Sequence, residues 1–177
     1  MQLAFVTTPR SSLATEIEWA AGNGFSTVDL ALEAPAAAPE SVKWAEVKTA
    51  LADNGRQAIC RAATYLPLDN PAPLVRQAAM DETRRAIDAT AAVGATLCTV
   101  RFCGWPTHLD ERTGYEYYRQ LFGVILKHGQ AQGITVALET ARRISTNSNT
   151  SVKSSSGCPI SSWPITSVTA TCRLCRV

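Results

Sequence analysis

No apolar run in the 177 residues approaches the roughly 18 that a membrane span requires. The N-terminus also lacks the basic-then-apolar pattern of a signal peptide. Charge of one sign is scarce. The formal net charge is +2, which argues against a strongly basic nucleic-acid binder and against an acidic solvating polypeptide. Cysteine is sparse too: six residues over this length are too dilute for a disulfide scaffold, so a reducing cytoplasm is the expected compartment. Neither a membrane nor a nucleic-acid partner is expected. What is present, 46% hydrophobic residues and 18% charged ones, is enough to bury a sizeable core in one ordinary domain.

Acid is missing altogether from one region. Residues 1–141 carry 12 Lys and Arg against all 15 Asp and Glu, whereas residues 142–177 carry five basic residues, no acid and 14 Ser or Thr. The second segment shows neither a helical apolar period nor strand alternation. Such a composition buries too little apolar surface to offset the entropy of ordering, and a poorly ordered tail is expected there. The domain division read from this contrast is 1–141 and 142–177.

Within the first segment one pattern recurs: an amphipathic helix, a glycine that closes it, and a short β-rich run. Gly24 leads into Thr27–Leu32, Gly55 into Gln57–Ala62, Gly94 into Leu97–Phe102 and Gly133 into Ile134–Glu139. Glycine at each of these points suits a left-handed helix C-cap. The helices carry apolar stripes, including Leu13, Ile17, Ala20 and Ala21 on the first and Tyr118, Leu121, Phe122, Ile125 and Leu126 on the last. Val42–Ala52 and Leu74–Val93 lie between them, the latter with Ala79, Ala86, Ile87, Thr90 and Val93 on one side, and Pro73 suits a first helical turn because it needs no N–H partner there. With Leu3–Thr7 added, the order is five strands alternating with four helices, which predicts a parallel sheet with right-handed crossovers. Val100, Val136 and Leu138 lie in apolar runs of the kind found in strands covered on both faces.

An open, doubly wound nucleotide binder needs a glycine-rich phosphate loop after its first strand. Thr7–Ser12 holds no glycine, so a barrel is favoured. A full eight-stranded barrel takes about 200–250 residues, and five strands make only part of one. The expected fold is therefore α/β, a partial TIM (β/α)8 barrel followed by a disordered tail.

Four segments carry a family likeness: Gly24–Leu30 (GFSTVDL), Ala86–Thr99 (AIDATAAVGATLCT), Gly104-Trp105-Pro106, and Val136-Ala137-Leu138-Glu139. In order and spacing, residues 1–141 resemble the xylose isomerase-like TIM barrel superfamily, of the sugar (phosphate) isomerase and epimerase type. The resemblance implies that Glu139, at the end of the fifth strand, is a Mn²⁺ or Mg²⁺ ligand and takes part in proton transfer beside the substrate carbonyl. A hard cation takes carboxylate oxygens and polarises carbonyl and hydroxyl oxygens. The plainer alternative for Glu139 is a strand-end acid that caps a loop or meets an arginine.

The sequence departs from the family where many relatives place histidines, at the ends of the third and fourth strands. Arg61 and Arg101 stand there, and arginine cannot ligate a cation. This weakens an endonuclease reading, which needs several histidine ligands. The two arginines are candidates for binding a sugar or sugar phosphate, with simple ion pairing to neighbouring acids as the alternative. Glu33, past the second strand, is a candidate substrate contact or else a solvated loop acid. Trp105 is a candidate for stacking on a sugar face or for plugging the barrel top. His108 lies in a polar loop near the mouth and joins the substrate-binding candidates. His128, late in a helix beside Lys127, has no chemistry assigned. Cys60, Cys98 and Cys103 are read as small buried apolar residues.

The family continues with a sixth strand ending Asp-x-Gly-His, which this sequence lacks. Read one base out of frame, back-translation of residues 150–155 permits Phe-Arg-Glu-Ile-Phe, and residues 166–171 permit Ile-Gly-His-Gly-Asn. The Asp itself cannot be encoded this way at Ile165-Thr166. The expectation is a polypeptide truncated at its C-terminal side relative to the family and frameshifted after about residue 141, which makes Cys172-Arg173-Leu174-Cys175 accidental. Function is then expected to be that of a metal-dependent sugar isomerase or epimerase, inactive in this form. The alternative is a non-catalytic remnant or binding module that self-associates through exposed barrel edges.

Overall fold

A computed structural model describes residues 3–102, 106 and 108–140. Its elements follow the expected alternation: β1 (Ala4–Val6), α1 (Leu13–Gly22), β2 (Thr27–Leu32), α2 (Trp44–Asp53), β3 (Gln57–Ala62), α3 (Pro73–Val93), β4 (Leu97–Phe102), α4 (Glu111–Ala131) and β5 (Thr135–Thr140). The strands form one parallel sheet in the order β1-β2-β3-β4-β5. Consecutive strands are therefore neighbours, as a barrel requires. The result is a partial α/β barrel. The expectations for residues 142–177, for Cys103 and for Trp105 fall outside the described residues.

The recurring glycine has a single backbone explanation. At Gly94 φ is +84°, the Gly94 N–H donates to the Ala91 carbonyl at 3.0 Å, and the Ala95 N–H donates to the Thr90 carbonyl at 3.1 Å. This pair of bonds is a Schellman cap, which satisfies carbonyls the helix leaves unpaired and turns the backbone towards its next strand. The same two bonds close α1 at Gly24, α2 at Gly55 and α4 at Gly133. N-terminal signals are less uniform. Ser12 and Asp110 accept from the Thr15 and Thr113 N–H groups at 3.3 and 3.1 Å, while α3 starts on Pro73 with no capping bond from a side chain.

Each helix packs against the next, α1 on α2, α2 on α3 and α3 on α4, and together they cover one face of the sheet. Val28, Leu30, Leu32, Cys60, Cys98, Val100, Val136 and Leu138 belong to the core cluster, together with Ile17, Ile87 and Ile125 of the helices. Strand side chains alternate between faces, so Val100, Val136 and Leu138 share the helix-covered side. Both faces are covered at Val28–Leu32 of β2 and at Val136–Leu138 of β5, and the side away from the helices carries Asp29, Arg61, Thr99, Arg101 and Glu139 beside the buried Ala31 and Ala137. Burial pushes the Cys60 thiol up to about 12 and that of Cys98 to about 11, consistent with small buried residues on paired strands.

The end of α4 approaches β5 closely. A methyl group at Gly129 would lie 2.5 Å from Val136 Cγ2 and 3.0 Å from the Ile134 carbonyl oxygen. Valine is stiff at χ1 and the carbonyl belongs to the turn, so neither yields easily. Gly129→Ala is expected to cost about 1–3 kcal/mol in urea unfolding. A loss of under half a kilocalorie (~0.5 kcal/mol) would show that α4 does not seat this tightly.

Candidate functional site

Register places the charged residues in a staircase on the face opposite the helices. Asp29 on β2 is level with Ile59, Arg61 on β3 is level with Ala31 and Thr99, and Arg101 on β4 is level with Glu139 on β5. Asp29 therefore lies deepest, and Arg101 and Glu139 stand at the C-terminal ends of their strands. That end is where barrels of this type gather chemistry, because loops of variable sequence meet there over a rigid sheet.

The four side chains alternate in charge. Arg61 donates from Nη2 to Asp29 Oδ2 and places Nη1 3.8 Å from Glu139 Oε2. Arg101 Nη2 donates to Glu139 Oε1 at 2.8 Å. Asp29 is buried, at 4% exposure, and Arg61 has a side-chain exposure of 23%, so this ion pair lies largely out of water. Asp29 Oδ1, Arg61 Nε and Glu139 Oε2 are buried without a hydrogen-bond partner. Desolvated charges are stable only when opposed, and the alternation supplies that opposition.

Arg61, Arg101 and Glu139, separate candidates in the sequence, thus come together, and the ion-pairing alternative describes both arginines. Glu33 follows β2. Its Oε1 accepts from the Thr64 N–H at 3.0 Å and from the Thr64 hydroxyl at 2.9 Å, tying the loop after β2 to the loop after β3. His108 is exposed in a turn before α4. His128 bonds Asp88 of α3 through Nε2 at 2.7 Å, which makes it a helix-to-helix link. Sequence reasoning missed Asp29. Its signal was a lone charge inside Thr27–Leu32, at the same strand parity as Ala31, the register partner of Arg61.

The residues around Glu139 do not fit a divalent cation. Among the described residues no three His, Cys, Asp or Glu side chains gather as a ligand set. The groups that face the carboxylate are guanidiniums, which have no lone pair to offer and carry fixed positive charge.

Parallel strands alternating with helices, with charged side chains at the strand ends, define a partial β/α barrel. The sequence matches the xylose isomerase-like TIM barrel family over residues 17–152, and the chain belongs to that family. No curated protein sequence matches it. Among solved structures it is similar to a D-psicose 3-epimerase determined in the presence of D-fructose, at 16% identity and TM-score 0.64, covering 81% of this chain and 53% of that one. The D-psicose 3-epimerase of Clostridium cellulolyticum H10, solved with D-tagatose, gives 16% identity, TM-score 0.65 and the same coverages. A 3-keto-D-glucoside 4-epimerase from E. coli gives 15% identity and TM-score 0.65, covering 81% of this chain and 57% of that one. The likeness is one of fold, and the chain spans about half the length of these structures. Among the described residues no helix is long and apolar enough to cross a membrane.

Proposed function

We propose that the mouth formed by Arg61, Arg101 and Glu139 binds a sugar-like hydroxy-carbonyl compound, the substrate class of sugar isomerases and epimerases. The observation that supports this reading is the convergence of the three side chains at the ends of three adjacent parallel strands. The sugars named for the similar epimerase structures, D-fructose and D-tagatose, are of this class. In this reading Glu139 is the proton-transfer group beside the substrate carbonyl. The guanidinium N–H groups of Arg61 and Arg101 stabilise the oxygen on which negative charge develops. Glu33 and His108 contact the substrate from the loops.

Turnover needs more than binding. The carboxylate of Glu139 is already occupied by two guanidiniums, with Arg101 donating to Oε1 at 2.8 Å and Arg61 Nη1 3.8 Å from Oε2. Asp29 and Glu33 are engaged by Arg61 and Thr64. The protein as it stands is therefore proposed to bind without turning over. With D-fructose, saturation-transfer NMR is expected to show binding that Glu139→Gln weakens, while the sugar carbons next to the carbonyl take up no deuterium from D2O. Absence of saturation transfer to D-fructose would refute the binding reading, and deuterium uptake would refute the inactive one.

A second reading, self-association through open edges, has its own support. Among the described residues β1 and β5 each pair with one strand. Val6 on β1 is 46% exposed, Leu3 beside it 58%, and Trp19 on α1 51%. Open strand edges and exposed apolar side chains favour pairing. Light scattering is expected to show mass rising with concentration, and Val6→Lys is expected to suppress the rise. A constant monomer mass at high concentration would end this reading.

A further inference from the structure

Asp29, Glu33 and Glu139 differ in what they leave unused. Asp29 is 4% exposed and holds Arg61, and Glu139 has a guanidinium at each oxygen. Glu33 is arranged otherwise. Its Oε1 takes two bonds, from the Thr64 N–H at 3.0 Å and from the Thr64 hydroxyl at 2.9 Å. Its Oε2 has no partner among the described residues and is reachable from solvent. Glu33 lies two residues past Ala31, the level neighbour of Arg61, and Thr64 lies three past Arg61. The pair therefore sits at the ends of β2 and β3, beside the ion-paired rim but outside it.

We propose that Glu33 is the group of this mouth that accepts a bond from a ligand hydroxyl, through Oε2, and that Thr64 is the positioning residue that sets it. The inference rests on the reading of the mouth as a sugar site. An ionised carboxylate only accepts hydrogen bonds, so what meets Oε2 must be a donor. A hydroxyl of an uncharged polyhydroxy compound supplies one, whereas a phosphate or carboxylate is repelled by the like charge. Neither Asp29 nor Glu139 can take this part, because freeing an oxygen of either breaks an ion pair that lies partly out of water. Two donors from one residue on a single oxygen also hold the Glu33 side chain before any ligand arrives. Less side-chain freedom is then left to lose on binding, which is the advantage of a preset acceptor.

The full 177-residue protein tests this with D-fructose, titrated by saturation-transfer NMR, and with urea unfolding of the same variants. Glu33→Gln is expected to weaken D-fructose binding at least about tenfold, since a bond to a charged acceptor is lost. Thr64→Val keeps the side-chain shape and the N–H but removes the hydroxyl. It is expected to weaken binding about threefold or more, and Thr64→Ser, which keeps the hydroxyl, is expected to restore the wild-type affinity. A lower urea midpoint for Thr64→Val with D-fructose affinity unchanged would mean that Thr64 only braces the two loops, and would overturn the inference. Equal affinity of Glu33→Gln and the wild type would also overturn it, while leaving the sugar site standing. No binding of D-fructose by the wild-type protein would overturn the inference and the site together.

Discussion

Arg61→Met is expected to destabilise the fold by about 3–5 kcal/mol, because it removes one partner of a buried ion pair and leaves the other charge uncompensated. Methionine keeps most of the length and apolar stem of arginine, so lost packing is a minor part of the cost. The penalty falls on Asp29, which is 4% exposed, has one oxygen on Arg61 and its Oδ1 without a partner. The double-mutant cycle with Asp29→Asn isolates this effect. The substituted asparagine carries no charge to strand, so Arg61→Met made in that background is expected to cost well under half as much. Urea unfolding of the four proteins checks it. Equal losses in the two backgrounds would mean that the pair is not coupled and that the staircase of charges is a surface feature.

Ile87→Ala is expected to cost about 2–5 kcal/mol, the range for deleting a large side chain whose surroundings cannot collapse. Ile87 is fully buried on α3, the helix that packs on β3 and β4 and also against α2 and α4. Its neighbours are held from several directions, so the cavity persists. The measurement is again the urea midpoint at unchanged slope. A value near that of a surface substitution, within about 0.5 kcal/mol, would contradict the packing described for α3.

The two expected losses mark different origins of information. Ile87 was legible as a core residue because it shares one side of a helical repeat with Ala79, Ala86, Thr90 and Val93, and a repeat of 3.6 residues is a local property. The helix ends were legible for the same reason. A Schellman cap involves six consecutive residues, and its glycine marks the place whatever the rest of the sequence does. Arg61 was legible only as a charge at a strand end. Its partner Asp29 went unnoticed because a single acid in an apolar strand has no periodic signature.

The candidate site shows the same division. Glu139 stood out through its place at the end of a family-like strand, and Arg61 and Arg101 stood out by departing from the family pattern. That the three meet was not written in any one segment, since Arg101 and Glu139 are 38 positions apart and Asp29 and Arg61 are 32 apart.

By itself, then, the amino-acid sequence determined the order of strands and helices, the points where helices stop, the apolar stripes that make the core, and the barrel family. All of these rest on interactions within a few residues or on patterns repeated along the sequence. Only the tertiary structure decided which charges oppose one another, how deep Asp29 lies, and that Glu139 is bracketed by guanidiniums. These depend on strand order and register, which bring side chains from separate strand–helix units onto one face where electrostatics, rather than periodicity, sets the partners.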